Sequence, residues 1–230
     1  MTQRIGILGG AFNPPHFGHA RIGVEVCEAL KLDRLLWLPS GGHPFKGEDV
    51  LLPVAHRVEM TRLTIAGQAQ FELCTLEAEK SGTSYTSDTL TALNQRHPDA
   101  LLVFLMGVDN LAELHLWKGW QDLDRHALLC LLTRPGYGGL IEDSQGSRFY
   151  QPTPIKQARF DLPSEARKGC HLLPVTALDI SSSDLRKRLQ QGHSIRYLTP
   201  DSVIDHIHRH QLYTSLKNIT PPADRHPENS

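Results

Sequence analysis

Short apolar runs separated by glycine, proline and polar turns recur along the chain. Those at 4–8, 34–38, 71–74, 101–106, 127–133 and 171–175 are rich in Leu, Ile, Val and Phe and have the length of strands. Between most of them lie longer stretches whose apolar positions recur every three or four residues, at 20–30, 54–66, 86–96 and 109–114, the spacing of helices with one face on a core. Strands alternating with helices predict an α/β chain with a doubly wound parallel sheet and helices on both faces. Ligands of such sheets sit outside the carboxyl ends of the strands. The turns after strands are therefore the places to look: 9–19, the loop after Leu38, Gly107-Val108-Asp109 and Arg134-Pro135-Gly136. A last helical segment is expected at 200–210, which makes 1–213 one domain. Residues 137–169, rich in Gly, Pro, Ser and charge, interrupt the final crossover as an irregular arm, and 214–230 have the polar, proline-containing make-up of a disordered tail.

Composition narrows the function classes. At 230 residues and 40% hydrophobic content the chain can bury one sizeable core. Lys+Arg of 24 against Asp+Glu of 25, with the basic residues scattered, argues against a nucleic-acid surface. No apolar run reaches membrane length, so no membrane partner is expected. Cys27, Cys74, Cys130 and Cys170 are widely spaced with no C-x-x-C, and read as buried thiols of a cytoplasmic protein. Subunit number leaves no mark in the sequence.

The richest segment is Gly9-Gly10-Ala11-Phe12-Asn13-Pro14-Pro15-His16-Phe17-Gly18-His19. A strand, a glycine-rich turn and a helix start aim backbone N–H groups and the positive end of a helix dipole at one point, which makes an anion site. Neither G-x-G-x-x-G nor the Walker spacing fits it. His16 and His19 add imidazole donors. Their i, i+3 spacing could hold zinc, but the loop has no Cys, Asp or Glu to complete a shell, and no metal site is assigned to it. Far downstream, Ile180-Ser181-Ser182-Ser183-Asp184-Leu185-Arg186 carries two compatible readings. Ser181-x-x-Asp184 is a capping box with Ile180 and Leu185 as its hydrophobic staple. The same helix start is a second anion site, with Ser182 and Arg186 four residues apart on one face.

Gly10-x-Phe12-x-Pro14-x-His16-x-Gly18-His19 resembles the G-x-F-x-P-x-H-x-G-H signature of the nucleotidyltransferase superfamily, and 180–186 is similar to its I-S-S-T-x-x-R element. From about 4 to 213 the chain further resembles bacterial nicotinate-mononucleotide adenylyltransferases. Ser84-Tyr85-Thr86-x-x-Thr89-Leu90, Met106-Gly107-x-Asp109-x-Leu111, Trp117-Lys118-x-Trp120 and Arg134-Pro135-Gly136 carry that likeness. It implies a Rossmann-like fold and attack by the 5′-phosphate of nicotinate mononucleotide on the α-phosphorus of ATP, with Mg2+ carried mainly by the triphosphate. His16, His19 and Arg186 would be catalytic. ATP and its phosphates would meet Gly9, Gly10, Ala11, Phe12, Gly18, Lys46, Gly107, Asp109, Arg134, Ile180, Ser181, Ser182 and Ser183. The pyridine ring would stack on Trp117, with its carboxylate at Ser84, Tyr85 and Thr86. Without the likeness, Thr86 and Asp109 also read as helix caps and a tryptophan pair as core. The second loop departs from the family, with Phe45 where a histidine is usual although Lys46 stands in place. The alternatives are an acceptor such as nicotinamide mononucleotide or pantetheine phosphate, and a nucleotide-binding sensor without turnover.

Overall fold

Parallel pairing runs through the whole sheet of the computed structural model, which describes residues 2–41, 51–80, 82–133 and 169–214 together with positions 146, 150, 153 and 154. The strands are β1 (Arg4–Gly10), β2 (Arg34–Pro39), β3 (Phe71–Leu73), β4 (Leu101–Gly107), β5 (Leu128–Thr133), the two-residue β6 (Thr153–Pro154) and β7 (Cys170–Pro174). Among the described residues they lie in the order β3-β2-β1-β4-β5-β7-β6. The helices are α1 (Phe17–Leu30), α2 (Val54–Ile65), α3 (Thr86–Arg96), the single turn α4 (Asn110–Glu113), α5 (Ser182–Gln190) and α6 (Asp201–Arg209), with 3₁₀ turns at Leu114–Leu116 and Trp120–Arg125. This is the doubly wound α/β architecture predicted from the alternation of runs. The chain winds outward from β1 through β2 to β3, then returns to pair β4 on the other side of β1. That reversal opens a crevice at the carboxyl ends of β1 and β4.

The strands are apolar throughout because both faces are covered. Side chains alternate between two cores. Ile5, Ile7, Leu102, Phe104, Met106, Leu129 and Leu131 enter one, with Leu90 and Leu93 of α3. Leu8, Val103, Leu105, Leu128, Cys130 and Leu132 enter the other, with Val26, Cys27 and Leu30 of α1. Two boundaries differ from the sequence reading. β1 runs on to Gly10 because Gly9 and Gly10 stay in register with Leu38 and Pro39 of β2. α1 starts at Phe17 instead of residue 20, since His16 takes the N-cap position and Gly18 and His19, weak helix formers, lie inside its first turn. Most of the 137–169 arm and all but the first residue of the 214–230 tail lie outside the described residues. Cys27, Cys130 and Cys170 are buried as expected, while Cys74 is only half-buried; burial pushes the Cys27 thiol up to about 11 and Cys170 to about 12.

A third apolar cluster seats the C-terminal segment. Met60 of α2 packs with Leu185 of α5, Val203 and Ile207 of α6, and Ile195, Leu212 and Tyr213, while Ile180 and Leu189 close its edge. At its rim three imidazoles converge. His56 Nδ1 lies 3.2 Å from His206 Nε2, and the ring of His210 is centred 4.5 Å from that of His206. Burial first, then the charges of His210, His56 and Arg209, holds His206 below its ordinary value of 6.5 against a weaker opposite pull from Glu59. A base depressed in the folded state favours folding above the pKa of the unfolded chain. That contribution is lost as pH falls below about 6.5, where the unfolded chain takes up the proton first. The melting temperature is therefore expected to drop between about pH 7.5 and pH 5.5 by a few degrees more in the wild type than in His206→Gln. Equal drops in the two proteins would remove His206 from this account.

Candidate active site

The turn between β1 and α1 has almost no regular structure of its own, and other elements hold it. Its carbonyls are taken in sequence: Ala11 O accepts from Arg57 Nη1 at 2.9 Å, Asn13 O from Arg186 Nη1 at 2.8 Å, Pro14 O from Ser182 Oγ at 2.8 Å and Pro15 O from Thr199 Oγ1 at 2.8 Å. The Asn13 side chain accepts from the Tyr213 hydroxyl at 2.9 Å. The Asn13–Pro14 peptide is cis. Phe12 adopts a left-handed φ of 47°, a conformation that costs a side-chain-bearing residue about 1 kcal/mol or more. Its ring is buried edge-on to His19 and beside Trp37, which offsets that cost.

With its carbonyls turned to these donors, the turn leads into the start of α1. The His16 N–H donates to Nδ1 of His19 at 3.3 Å. A neutral His19 therefore carries its proton on Nε2, as a hydrogen-bond donor. The two imidazoles lie with their centroids 3.8 Å apart. Gly18 is required beneath them, because a Cβ there would stand 2.9 Å from Nδ1 of His16.

One crevice of about 400 Å³ lies over the carboxyl ends of β1 and β4. Of the predicted site residues it is lined by Gly9, Gly10, Ala11 and His19 on one side, by Ser84, Tyr85, Thr86 and Trp117 on the other, and by Gly107 and Asp109 at its floor. Gly107 is bare for a reason similar to Gly18's: a Cβ would meet the Asp109 carboxylate at 2.2 Å. Tyr85, not Thr86, is the N-cap of α3, and its side chain does not cap the helix, while Tyr85, Thr86 and Thr89 line the crevice. Asp109 likewise stands at the N-cap of α4 without capping it. Lys118 ties the Trp117 segment to this wall, over the Tyr85 ring at 4.7 Å and 3.1 Å from Asp88. The Ser84 and Ser40 hydroxyls, buried in the lining, find no partner among the described residues.

The downstream motif stands behind the turn. Ser181 caps α5 by accepting from Asp184 N at 3.1 Å, and Ser182 and Arg186 do share a face, the one that grips the turn. Arg186 divides its guanidinium between Asn13 O and Ser183 Oγ, and burial lowers its pKa. His16, Phe12, Gly18, Ile180, Ser181, Ser182, Ser183 and Arg186 are not among the residues lining the 400 Å³ crevice. Lys46 and Arg134 lie outside the described residues. Two groups were not found from the sequence. Arg57 of α2 is buried, with Nε on Leu52 O at 3.0 Å, Nη1 on Ala11 O and Nη2 on Gly41 O at 3.3 Å; its pKa is lowered by burial, against the pull of Tyr213 and Glu77. Glu77, also in the lining, accepts from Thr89 Oγ1 at 2.8 Å and Gly41 N at 3.4 Å, and burial raises its pKa despite those bonds. An arginine on an amphipathic helix and a glutamate among charged neighbours look like solvated surface; only tertiary contact marks them out.

Comparison with known proteins agrees with the fold. The cytidylyltransferase-like family model matches residues 7–188. A Thermomicrobium roseum protein named "Probable nicotinate-nucleotide adenylyltransferase" is 36% identical over 219 residues, 95% of each chain. One of the same name from Roseiflexus sp. is 38% identical over 215 residues, covering 91% of this chain and 97% of its own. Among solved structures, Plasmodium falciparum nicotinic acid mononucleotide adenylyltransferase complexed with NaAD superposes with a TM-score of 0.66 over 92% of this chain and 97% of that one, at 19% identity, a likeness of fold. On the family match and the identity to these relatives together, the chain belongs to the cytidylyltransferase-like family and, within it, to the nicotinate-nucleotide adenylyltransferases.

Proposed function

We propose that the protein transfers the adenylyl group of ATP to nicotinate mononucleotide, giving nicotinate adenine dinucleotide and pyrophosphate. One observation carries this reading. A single crevice joins a glycine-rich, imidazole-bearing anion turn to a wall made of an uncapped helix start and an indole, which suits two substrates meeting phosphate to phosphate. An oxygen of the acceptor phosphate bonds to the α-phosphorus of ATP as the bond from that phosphorus to the bridging oxygen breaks, and the electron pair leaves with pyrophosphate. The acceptor is already an anion, so no protein nucleophile or base is needed. Rate comes from alignment and from stabilising charge as it moves onto the leaving group.

In this reading His19 donates from Nε2 to the phosphates, and His16, stacked on it, holds the ring in place and shares the charge. Ser182 and Arg186 support the turn from behind, and the N-terminus of α1 adds its dipole. Lys46 and Arg134 are proposed to approach the triphosphate from their loops. Asp109 accepts from ribose hydroxyls. Magnesium would be carried mainly by the triphosphate oxygens, with Asp109 and Glu77 as acidic residues of the crevice lining and no cluster of three or more metal-ligating side chains among the described residues, and it would lower the charge on the phosphates. At the other wall the pyridine ring stacks on Trp117. Its carboxylate meets the first-turn N–H groups of α3 and the Ser84 hydroxyl, with the Lys118 ammonium close by.

The direct check is pyrophosphate release from ATP against a panel of acceptor phosphates. Nicotinate mononucleotide should exceed nicotinamide mononucleotide by at least about tenfold in kcat/KM, because charge-assisted hydrogen bonds are about twice as strong as neutral ones. Trp117→Ala should impair both acceptors together, since stacking does not sense the carboxylate. Equal efficiency with both acceptors in the wild type would sink the carboxylate site.

His19→Ala should lower kcat on the order of 100-fold, the cost of losing one preorganised donor, while the KM for ATP moves only a few-fold. A folded His19→Ala protein that turns over within a few-fold of wild type would show that the imidazole is not at the reacting phosphates.

A further inference from the structure

We infer that Glu77 is a positioning residue for the acceptor, acting through the backbone of Gly41; the inference rests on the adenylyl-transfer reading above. The backbone of Gly41 is held on both sides of its Cα. Its N–H donates to Glu77 Oε2 at 3.4 Å, and its carbonyl accepts from Arg57 Nη2 at 3.3 Å. Each partner is itself anchored in a different half of the crevice. Glu77 Oε1 is fixed by Thr89 of α3, the helix whose start forms the acceptor wall. Arg57 is fixed by Ala11 O in the anion turn. A continuous chain of hydrogen bonds, Ala11 to Arg57 to Gly41 to Glu77 to Thr89, thus sets the separation of the two walls.

The steric fit points the same way. A Cβ on Gly41 would come 2.6 Å from the Glu77 carbonyl oxygen and 2.7 Å from Ser84 Oγ, so the loop after β2 is wedged directly against the residue that opens the acceptor wall. The first of those atoms is backbone and cannot rotate away. Glu77 and Ser84 are both about nine-tenths buried, at 8% and 9% exposure, and Thr89 and Arg57 are almost wholly so. The Gly41–Glu77, Arg57–Gly41 and Thr89–Glu77 bonds are buried, which gives the geometry a stiffness that exposed pairs lack. Both carboxylate oxygens of Glu77 are already engaged as acceptors, which directs its charge to the protein frame and away from the carboxylate of the substrate.

The test is steady-state kinetics of pyrophosphate release with ATP and nicotinate mononucleotide varied in turn, for the wild type, Glu77→Ala, Glu77→Gln and Gly41→Ala, with melting curves for each. Glu77→Ala should raise the KM for nicotinate mononucleotide by about tenfold or more, with the KM for ATP within about threefold of wild type. Glu77→Gln can turn its one amide oxygen to the Gly41 N–H and donate from Nε2 to the Thr89 hydroxyl oxygen, which keeps the chain of bonds, and should stay within about threefold on both substrates. Gly41→Ala, which leaves the carboxylate in place but forces the wall outward, should reproduce the acceptor defect. The inference is overturned if Glu77→Ala leaves the acceptor KM unchanged, if both KM values rise together, or if Glu77→Gln is as impaired as Glu77→Ala. Should Glu77→Ala not fold, a folded Gly41→Ala with a normal acceptor KM overturns it equally. A wild type that turns over some other acceptor phosphate defeats the nicotinate reading alone, and the same comparison is then made on that acceptor's KM.

Discussion

Everything in the site hangs on where four backbone carbonyls of the β1–α1 turn find their donors. A short irregular segment containing three prolines or asparagines in a row cannot form a ladder, and a buried carbonyl without a partner costs about 1–3 kcal/mol. The protein answers with side chains drawn from α2, α5 and the turn before α6, one for each carbonyl of Ala11, Asn13, Pro14 and Pro15. Once the acceptors are committed to protein groups, the His19 imidazole and the dipole of α1 are what the turn offers to an anion. The third apolar cluster serves the same end, since it brings Arg186, Thr199 and Tyr213 within reach of the turn.

The crevice shows how a generic fold acquires a particular chemistry. The reversal of strand order at β1 and β4 makes an opening in any doubly wound sheet. Here its two sides are unlike. One is backbone and imidazole, suited to phosphate; the other is indole, hydroxyl and helix start, suited to a flat ring bearing a negative charge. Buried polar links of the kind made by Arg57 and Glu77 are costly to break singly, because removing one partner strands another in low dielectric. They are correspondingly good rulers.

Much of this was legible in the residues and some was not. The sheet, its helices and the place of the crevice followed from apolar runs of strand length alternating with helical spacing, a local signal. The anion turn followed from Gly9 to His19, where composition itself dictates backbone geometry. Ser182 and Arg186 read correctly as sharing a face, but four-residue spacing cannot say that the face grips the turn's carbonyls. Arg57, Glu77 and Tyr213 carried no local signal, because burial arises only when distant segments meet. The left-handed Phe12 was hidden for a related reason: its conformation is held by Trp37 and His19, not by its neighbours in the chain.

The clasp on Asn13 spans 200 residues, from the first turn of the sheet to Tyr213. During synthesis the strand, the glycine turn and α1 leave the ribosome first, and the groups that hold the turn's shape arrive last. A nascent chain stalled before about residue 199 would own both histidines and the whole of β1, β2 and β4 yet lack Thr199 and Tyr213, two of the donors that hold the turn. The shape of the turn is in this sense written early in the chain and completed late, by groups that stand some 200 residues downstream of the segment they hold.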